Sequence, residues 1–155
     1  MTELERIHVQ SLGPDVLQTS ATPAGRTGVL VVDDDEAVLG LLNTGLRQLG
    51  FSVWQAASGQ EAVDLYKRHQ ADIEIVLLDV RMPGSLDGPQ TLAALRELEP
   101  NVLCCFMSGQ FGGYTEAGLR ELGASRVIPK PFRLFEVAHV LRDLARTADL
   151  SRSGV

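Results

Sequence analysis

Several polar residues sit where apolar runs end. Val29-Leu30-Val31-Val32 gives way to Asp33-Asp34-Asp35, Ile75-Val76-Leu77-Leu78 to Asp79, the run from Val102 to Met107 to Ser108, and the short stretch Arg126-Val127-Ile128 to Pro129-Lys130-Pro131. Each is ordinary alone. An aspartate after a strand more often forms a turn or caps a helix than binds a ligand, and Asp35 suits that part. A lone serine there is usually a cap, and a lone lysine a solvated charge. Brought to one edge, Asp33, Asp34, Asp79, Ser108 and Lys130 would be three carboxylates, a hydroxyl and an ammonium. Clustered carboxylates raise one another's pKa unless positive charge sits among them. A hard divalent cation with oxygen ligands fits, and magnesium would keep several waters there. Cation and ammonium together could neutralise the oxygens of a phosphoryl group.

The intervening elements decide whether these groups meet. The four-residue apolar runs read as strands buried on both faces. Val38, Leu41, Leu42, Leu46 and Leu49 recur at helical spacing up to Gly50. Ser52-Val53-Trp54-Gln55-Ala56 alternates like a strand. Ser58-Gly59-Gln60-Glu61 is a capping box that opens a helix through Ala62, Val63, Leu65 and Tyr66. Pro89 suits the first turn of a helix with Leu92, Leu95 and Leu98 on its stripe. A weaker helix over 115–122 precedes the short last strand at 126–128, and a final helix over 134–148 carries Leu134, Val137, Leu141 and Leu144. Strand then helix, five times, predicts an α/β fold: a five-stranded parallel sheet, doubly wound, with helices on both faces as a three-layer sandwich. Ligands bind at the carboxyl ends of strands in such sheets, where these polar residues fall.

Composition narrows the function. The chain has 155 residues, 45% hydrophobic, with 20 acidic against 14 basic side chains and a net charge of −6. That balance argues against nonspecific binding to nucleic acid or an anionic membrane. No apolar run approaches the roughly 18 residues that span a bilayer, and the N-terminus lacks the apolar core of a signal peptide. Cys104 and Cys105 are adjacent within a strand, where side chains point to opposite faces, so they are expected as buried, reduced thiols in a cytoplasmic protein. His8, His69 and His139 are scattered without metal-ligand spacing, and Trp54 reads as packing. Residues 1–27 read as a poorly ordered leader or linker, 28–148 as one domain and 149–155 as a short tail, which leaves no room in this chain for an output domain.

Val31-Val32-Asp33-Asp34-Asp35, Leu77-Leu78-Asp79-Val80-Arg81-Met82-Pro83-Gly84, Met107-Ser108-Gly109 and Lys130-Pro131-Phe132, in that order and spacing, resemble the receiver domain of two-component response regulators. The resemblance covers about residues 28–148 and implies a flavodoxin-like (βα)5 fold. It implies that Asp79 is the phosphoacceptor, served by a histidine kinase, a phosphotransfer protein or a small phosphodonor. Asp34, Asp79 and the Arg81 backbone carbonyl would bind magnesium, with Asp33 acting through a metal-bound water. Lys130 would pair with Asp79 or the phosphoryl oxygens, Ser108 would move in after phosphorylation, and the Lys130-Pro131 bond would be cis. No enzymatic activity is expected beyond self-catalysed phosphoryl uptake and loss. Output would pass to a downstream protein through the last two helices and last strand, a face that can also form homodimers.

The sequence departs from the family at two places. The usual switch aromatic, three residues before the lysine, is Val127; Phe111 or Tyr114 could substitute. The loop after Asp79 is one residue longer than the commonest form. Arg81 and Gln110 lie where family members tune phosphoryl lifetime. Two other readings stand beside a phosphorylated receiver: a receiver-shaped scaffold without phosphate turnover, and a receiver fragment of a larger regulator or hybrid kinase. An aspartate-nucleophile phosphatase of the haloacid-dehalogenase type is disfavoured, because Arg81 stands where its second acid would be.

Overall fold

The computed structural model describes residues 26–84, 86–109 and 113–153, so the expectations placed on residues 1–25 lie outside it. Five strands carry the apolar runs: β1 (Gly28–Val32), β2 (Ser52–Ala56), β3 (Ile75–Asp79), β4 (Leu103–Ser108) and β5 (Arg126–Pro129). The helices are α1 (Glu36–Gln48), α2 (Gly59–His69), α3 (Gly88–Leu98), α4 (Glu116–Glu121) and α5 (Leu134–Ser153). All strand pairs are parallel, in the order β2-β1-β3-β4-β5.

Period-2 alternation divides the core. Leu30, Val32, Val76, Leu78, Cys104 and Phe106 face α2, α3 and α4 and pack on Ala62, Tyr66, Leu92, Leu95 and Leu119. Val29, Val31, Ile75, Leu77, Cys105 and Met107 face α1 and α5 and pack on Leu42, Leu46, Val137 and Leu141. Cys104 and Cys105 therefore lie on opposite faces, buried and unbridged as expected.

Short side chains start the helices. The Asp35 carboxylate accepts from the Ala37 and Val38 amides and caps α1. Ser58 accepts from the Glu61 amide, while the Glu61 carboxylate reaches one residue beyond the box, to the Ala57 amide. A second box opens α3: Asp87 accepts from the Gln90 amide and the Gln90 side chain accepts from the Asp87 amide, with Pro89 in the first turn. The last helix runs five residues past the end expected at Ala148, because no glycine or proline interrupts it before Gly154.

Two helical glycines differ in their surroundings. A Cβ on Gly88 would fall on the Asp79 carbonyl oxygen and lie 2.8 Å from the Val80 α-carbon, so the start of α3 rests directly on the end of β3. A Cβ on the exposed Gly40 of α1 would meet nothing within 4 Å. We expect Gly40→Ala to stabilise the fold by about 0.5–1 kcal/mol through helix propensity. Gly88→Ala should cost about 2 kcal/mol or more through overpacking. Urea midpoints measure both, and similar midpoints for the two variants would mean that α3 does not bear on the Asp79 peptide.

Candidate functional site

The strand order reverses between β1 and β3, since the chain winds from β1 outward to β2 and then back across to β3. A sheet of this kind opens a crevice at that point, beyond the carboxyl ends of the strands. Asp33 and Asp34 follow β1 there, and Asp79 ends β3. One carboxylate oxygen from each lies within 4.8 Å of the others. Asp33 is completely buried, Asp79 is 5% exposed, and Asp34 faces solvent.

Lys130 arrives from the end of β5. Its Nζ lies 2.7 Å from Asp33 Oδ2 and 3.4 Å from Asp79 Oδ1. The resemblance pairs this lysine with Asp79 or a phosphoryl group; here its shorter bond goes to Asp33, the deeper carboxylate. The other Asp33 oxygen accepts from the Asp35 amide at 2.9 Å. Asp33 thus has both oxygens engaged and holds the ammonium beside Asp79. The Lys130-Pro131 bond is cis, as the resemblance implies.

Electrostatics set Asp79 apart. Burial, reinforced by the Asp33 charge, raises its pKa to about 6 against the opposing pull of Lys130. For Lys130, burial disfavours the ammonium, but the bonds and charges of Asp33 and Asp79 outweigh it and the net shift is upward. The site therefore holds a lysine kept charged beside a carboxylate that is held in its charged form at a cost.

Ser108 ends β4 with 3% of its surface exposed. Asp79 pairs with Met107 in the sheet register, which places Ser108 one residue beyond that pair. The Ser108 carbonyl accepts from the Lys130 amide at 2.9 Å. The acidic group, the ammonium and the hydroxyl thus gather at one edge from residues spread over most of the domain.

The remaining expected residues lie farther out. Arg81 is exposed in the loop after Asp79 and lines a cleft of about 600 Å³ together with Asp87, Gln90 and Tyr114. Tyr114 is not at the acidic cluster: its hydroxyl donates to Asp87 Oδ2 at 3.1 Å. Gln110 and Phe111 lie outside the described residues. Val127 is an aliphatic, half-buried residue of β5, paired with Phe106. Trp54 packs as expected, with its ring 5.5 Å from that of His69, while His139 is exposed.

Sequence reasoning missed the part played by Asp87, although the D-x-x-Q pattern at Asp87–Gln90 follows the same rule that identified Ser58 and Glu61. It also missed Arg96, whose guanidinium crosses from α3 to the Gly123 carbonyl at 3.0 Å. Nothing local in the sequence signals that contact.

Known proteins resemble this chain in sequence and fold. A family model described as the response regulator receiver domain matches residues 29–142. The sensor kinase CckA of Brucella abortus is 35% identical over 130 residues, which are 81% of this chain and 13% of the kinase. The sporulation initiation phosphotransferase F of Bacillus subtilis is 31% identical over 116 residues, 74% of this chain and 90% of that protein. Among solved structures, the CheX–CheY–BeF3–Mg complex of Borrelia burgdorferi aligns with a TM-score of 0.70 at 30% identity, covering 76% of this chain and 88% of that one. Among the described residues no helix is long and apolar enough to cross a membrane. The ordered motifs, the strand order and these matches place the chain in the response regulator receiver domain family.

Proposed function

We propose that Asp79 takes up a phosphoryl group from a histidine kinase or phosphotransfer protein and that the resulting acyl phosphate switches protein contacts. The observation that carries this reading is the Asp79 carboxylate, buried among acids at the end of β3 with the Lys130 ammonium 3.4 Å away. An Asp79 oxygen attacks phosphorus, the new O–P bond forms, and the bond to the donor breaks with its electron pair leaving on the donor. Lys130 balances charge on the phosphoryl oxygens, and the Ser108 hydroxyl donates to one of them.

Three carboxylates within 4.8 Å of one another form an all-oxygen donor set, which fits a hard divalent cation. Asp34, Asp79 and the Arg81 backbone carbonyl would hold magnesium, with Asp33 bound through water, and the cation would supply charge neutralisation of the phosphoryl oxygens. The chain then acts as a switch whose only chemistry is its own phosphorylation and dephosphorylation. The face of α4, β5 and α5 is the contact surface in this reading, for a downstream protein or a second copy. It carries the exposed Leu122 and a charge group in which Arg126 and Arg146 both bind Asp143. A cytoplasmic setting goes with the reduced Cys104 and Cys105.

Acetyl phosphate with magnesium should add one phosphoryl group to the intact mass. Asp79→Asn should abolish the gain, and Asp34→Asn or Lys130→Met should slow it by about tenfold or more. A chain that accepts no phosphoryl group from any donor is instead a receiver-shaped scaffold.

Arg81→Ala and Gln110→Ala should each change the lifetime of the phosphorylated species, followed by decay of the mass shift, because a long side chain there screens or orients the attacking water. Unaltered lifetimes in both variants would remove that role.

The raised Asp79 pKa has a stability consequence. Its folded value of about 6 exceeds the ordinary carboxylate value of 3.8, so folding favours the protonated form. The penalty on the ionised form is fully present above pH 6 and gone below the unfolded value. In EDTA at pH 7.5, Asp79→Asn should stabilise the fold by about 1–2 kcal/mol, and the gain should fade as pH drops from 6 toward 4. Magnesium should raise the melting temperature of the parent chain more than that of the variant. Thermal melts decide it: a variant less stable than the parent at pH 7.5 would contradict the charge balance.

A further inference from the structure

The amino edge of the sheet, opposite the acidic cluster, holds a cavity of about 610 Å³. It opens where β3 and β4 begin: Glu74 and Val102 on its wall lead into these strands, whose first residues, Ile75 and Leu103, pair in the sheet. Ile73, Val102, Leu103 and Ala148 give it an apolar wall, the last of them supplied by α5. A volume of this size with apolar walls suits a small organic molecule.

Its charged groups are of one sign. Glu74 and Glu99 line it, both half-buried, and among the described residues no lysine, arginine or histidine does. Neither carboxylate forms an ion pair with a described residue. Glu99 Oε2 accepts from the Asn101 amide at 2.9 Å, which fixes that carboxylate at the cavity. Helices α2 and α3 both end here and are tied by Gln70, whose Nε2 donates to the Leu98 carbonyl at 3.4 Å. Helix C-termini carry partial negative charge and favour cations. The basic side chains of these last turns are placed elsewhere. Lys67 and Arg68 are exposed outside the cavity, His69 packs beside Trp54, and Arg96 donates to the Gly123 carbonyl at 3.0 Å.

Tyr66 points to a ligand independently of these charges. It lies on the cavity wall with 3% of its surface exposed, and among the described residues its hydroxyl makes no hydrogen bond. Buried tyrosines usually find a partner for that group. Burial, and then the Glu99 charge, pushes its pKa up to about 12, so the hydroxyl keeps its proton. An ammonium in the cavity would pair with Glu99, donate to the Tyr66 oxygen and lie near an aromatic ring, three favourable contacts that a neutral or anionic group forgoes.

We propose that this cavity binds a small organic cation, an ammonium on an apolar stem, with the stem against Ile73, Val102 and Leu103 and the ammonium held by Glu99, Glu74 and the Tyr66 hydroxyl. The site lies at the opposite edge of the sheet from Asp79 and does not rest on the phosphoacceptor reading.

Phenethylamine is the probe, with phenethyl alcohol as its uncharged counterpart and magnesium as a bare cation. Each is titrated near neutral pH into the full chain, followed by backbone amide chemical shifts. Phenethylamine should give saturable shifts at residues 71–74 and 99–103. Phenethyl alcohol should bind there about tenfold more weakly, because it leaves the carboxylates unpaired. Magnesium should leave those amides in place. Glu99→Gln retains an acceptor for the Asn101 amide and should weaken phenethylamine by about tenfold, and Tyr66→Phe, which keeps the ring, by about threefold or more. Unchanged shifts in the rest of the sheet show that each variant is folded. Equal affinity for the amine and the alcohol, unchanged affinity in either variant, or shifts of the same amides by magnesium would each overturn the proposal. So would the absence of saturable phenethylamine binding up to about 10 mM, an affinity weaker than about −3 kcal/mol.

Discussion

Two carboxylates and one ammonium, packed at the carboxyl ends of the neighbouring strands β1 and β3, are the constraint on which the rest of the site depends. Asp33 and Asp79 are nearly inaccessible to water, so their mutual repulsion is poorly screened. Lys130 is the internal charge that makes the arrangement tolerable, and it comes from 97 residues farther along the chain than Asp33. The bond to Asp33 is shorter than the bond to Asp79. That asymmetry has a use. Asp33 has both oxygens occupied and serves as a fixed anchor, whereas among the described residues the Asp79 carboxylate is held by the longer contact and keeps its ionised form at a cost. A carboxylate in that condition is disposed to accept a cation, a proton or a phosphoryl group.

The parallel sheet is what makes such crowding repeatable. All five strands point the same way, so every strand end falls on one edge and the connecting helices start from it. The same edge collects the helix caps Asp35, Ser58, Asp87 and Thr115. Polar residues therefore accumulate there for two separate reasons, capping and chemistry. Asp33, Asp34 and Asp35 illustrate the division: the first anchors a lysine, the second faces solvent at the acidic cluster, and the third caps α1.

Most of the fold was legible because burial on both faces leaves a local mark. The runs at β1, β3 and β4 and the leucine stripes of α1, α3 and α5 needed only periodicity. The site was legible at the level of membership, since its residues end strands, and the ordered motifs named the family. Partnership was less legible. That Lys130 prefers Asp33 to Asp79 depends on which carboxylate lies deeper, a property of the packed sheet with no local signature. The contacts of Tyr114 with Asp87 and of Arg96 with Gly123 each span 27 residues and join elements that the sequence places only approximately. The end of α5 was set too early for another reason: the periodic stripe stops before the helix does, since nothing in the sequence up to Gly154 breaks it.

The distribution of buried side chains shows where a switch can reside. Helix α1 buries Leu39, Leu42 and Leu46, and α5 buries Val137, Ala138, Leu141 and Ala145 against the same face of the sheet. Displacing either would expose several large apolar side chains at roughly 1.5–3 kcal/mol apiece. Helix α4 commits only Leu119. A modification at Asp79 that alters a few hydrogen bonds has the right size to move α4 and too little to move α1 or α5. The strand beside α4 is also the shortest, four residues of β5 at the sheet edge, and carries Val127 rather than an aromatic. β5 carries no ring to bury or expose, and a ring with a polar end lies instead on the approach to α4, at Tyr114. Its hydroxyl already touches the cap of the helix that rests on the Asp79 peptide.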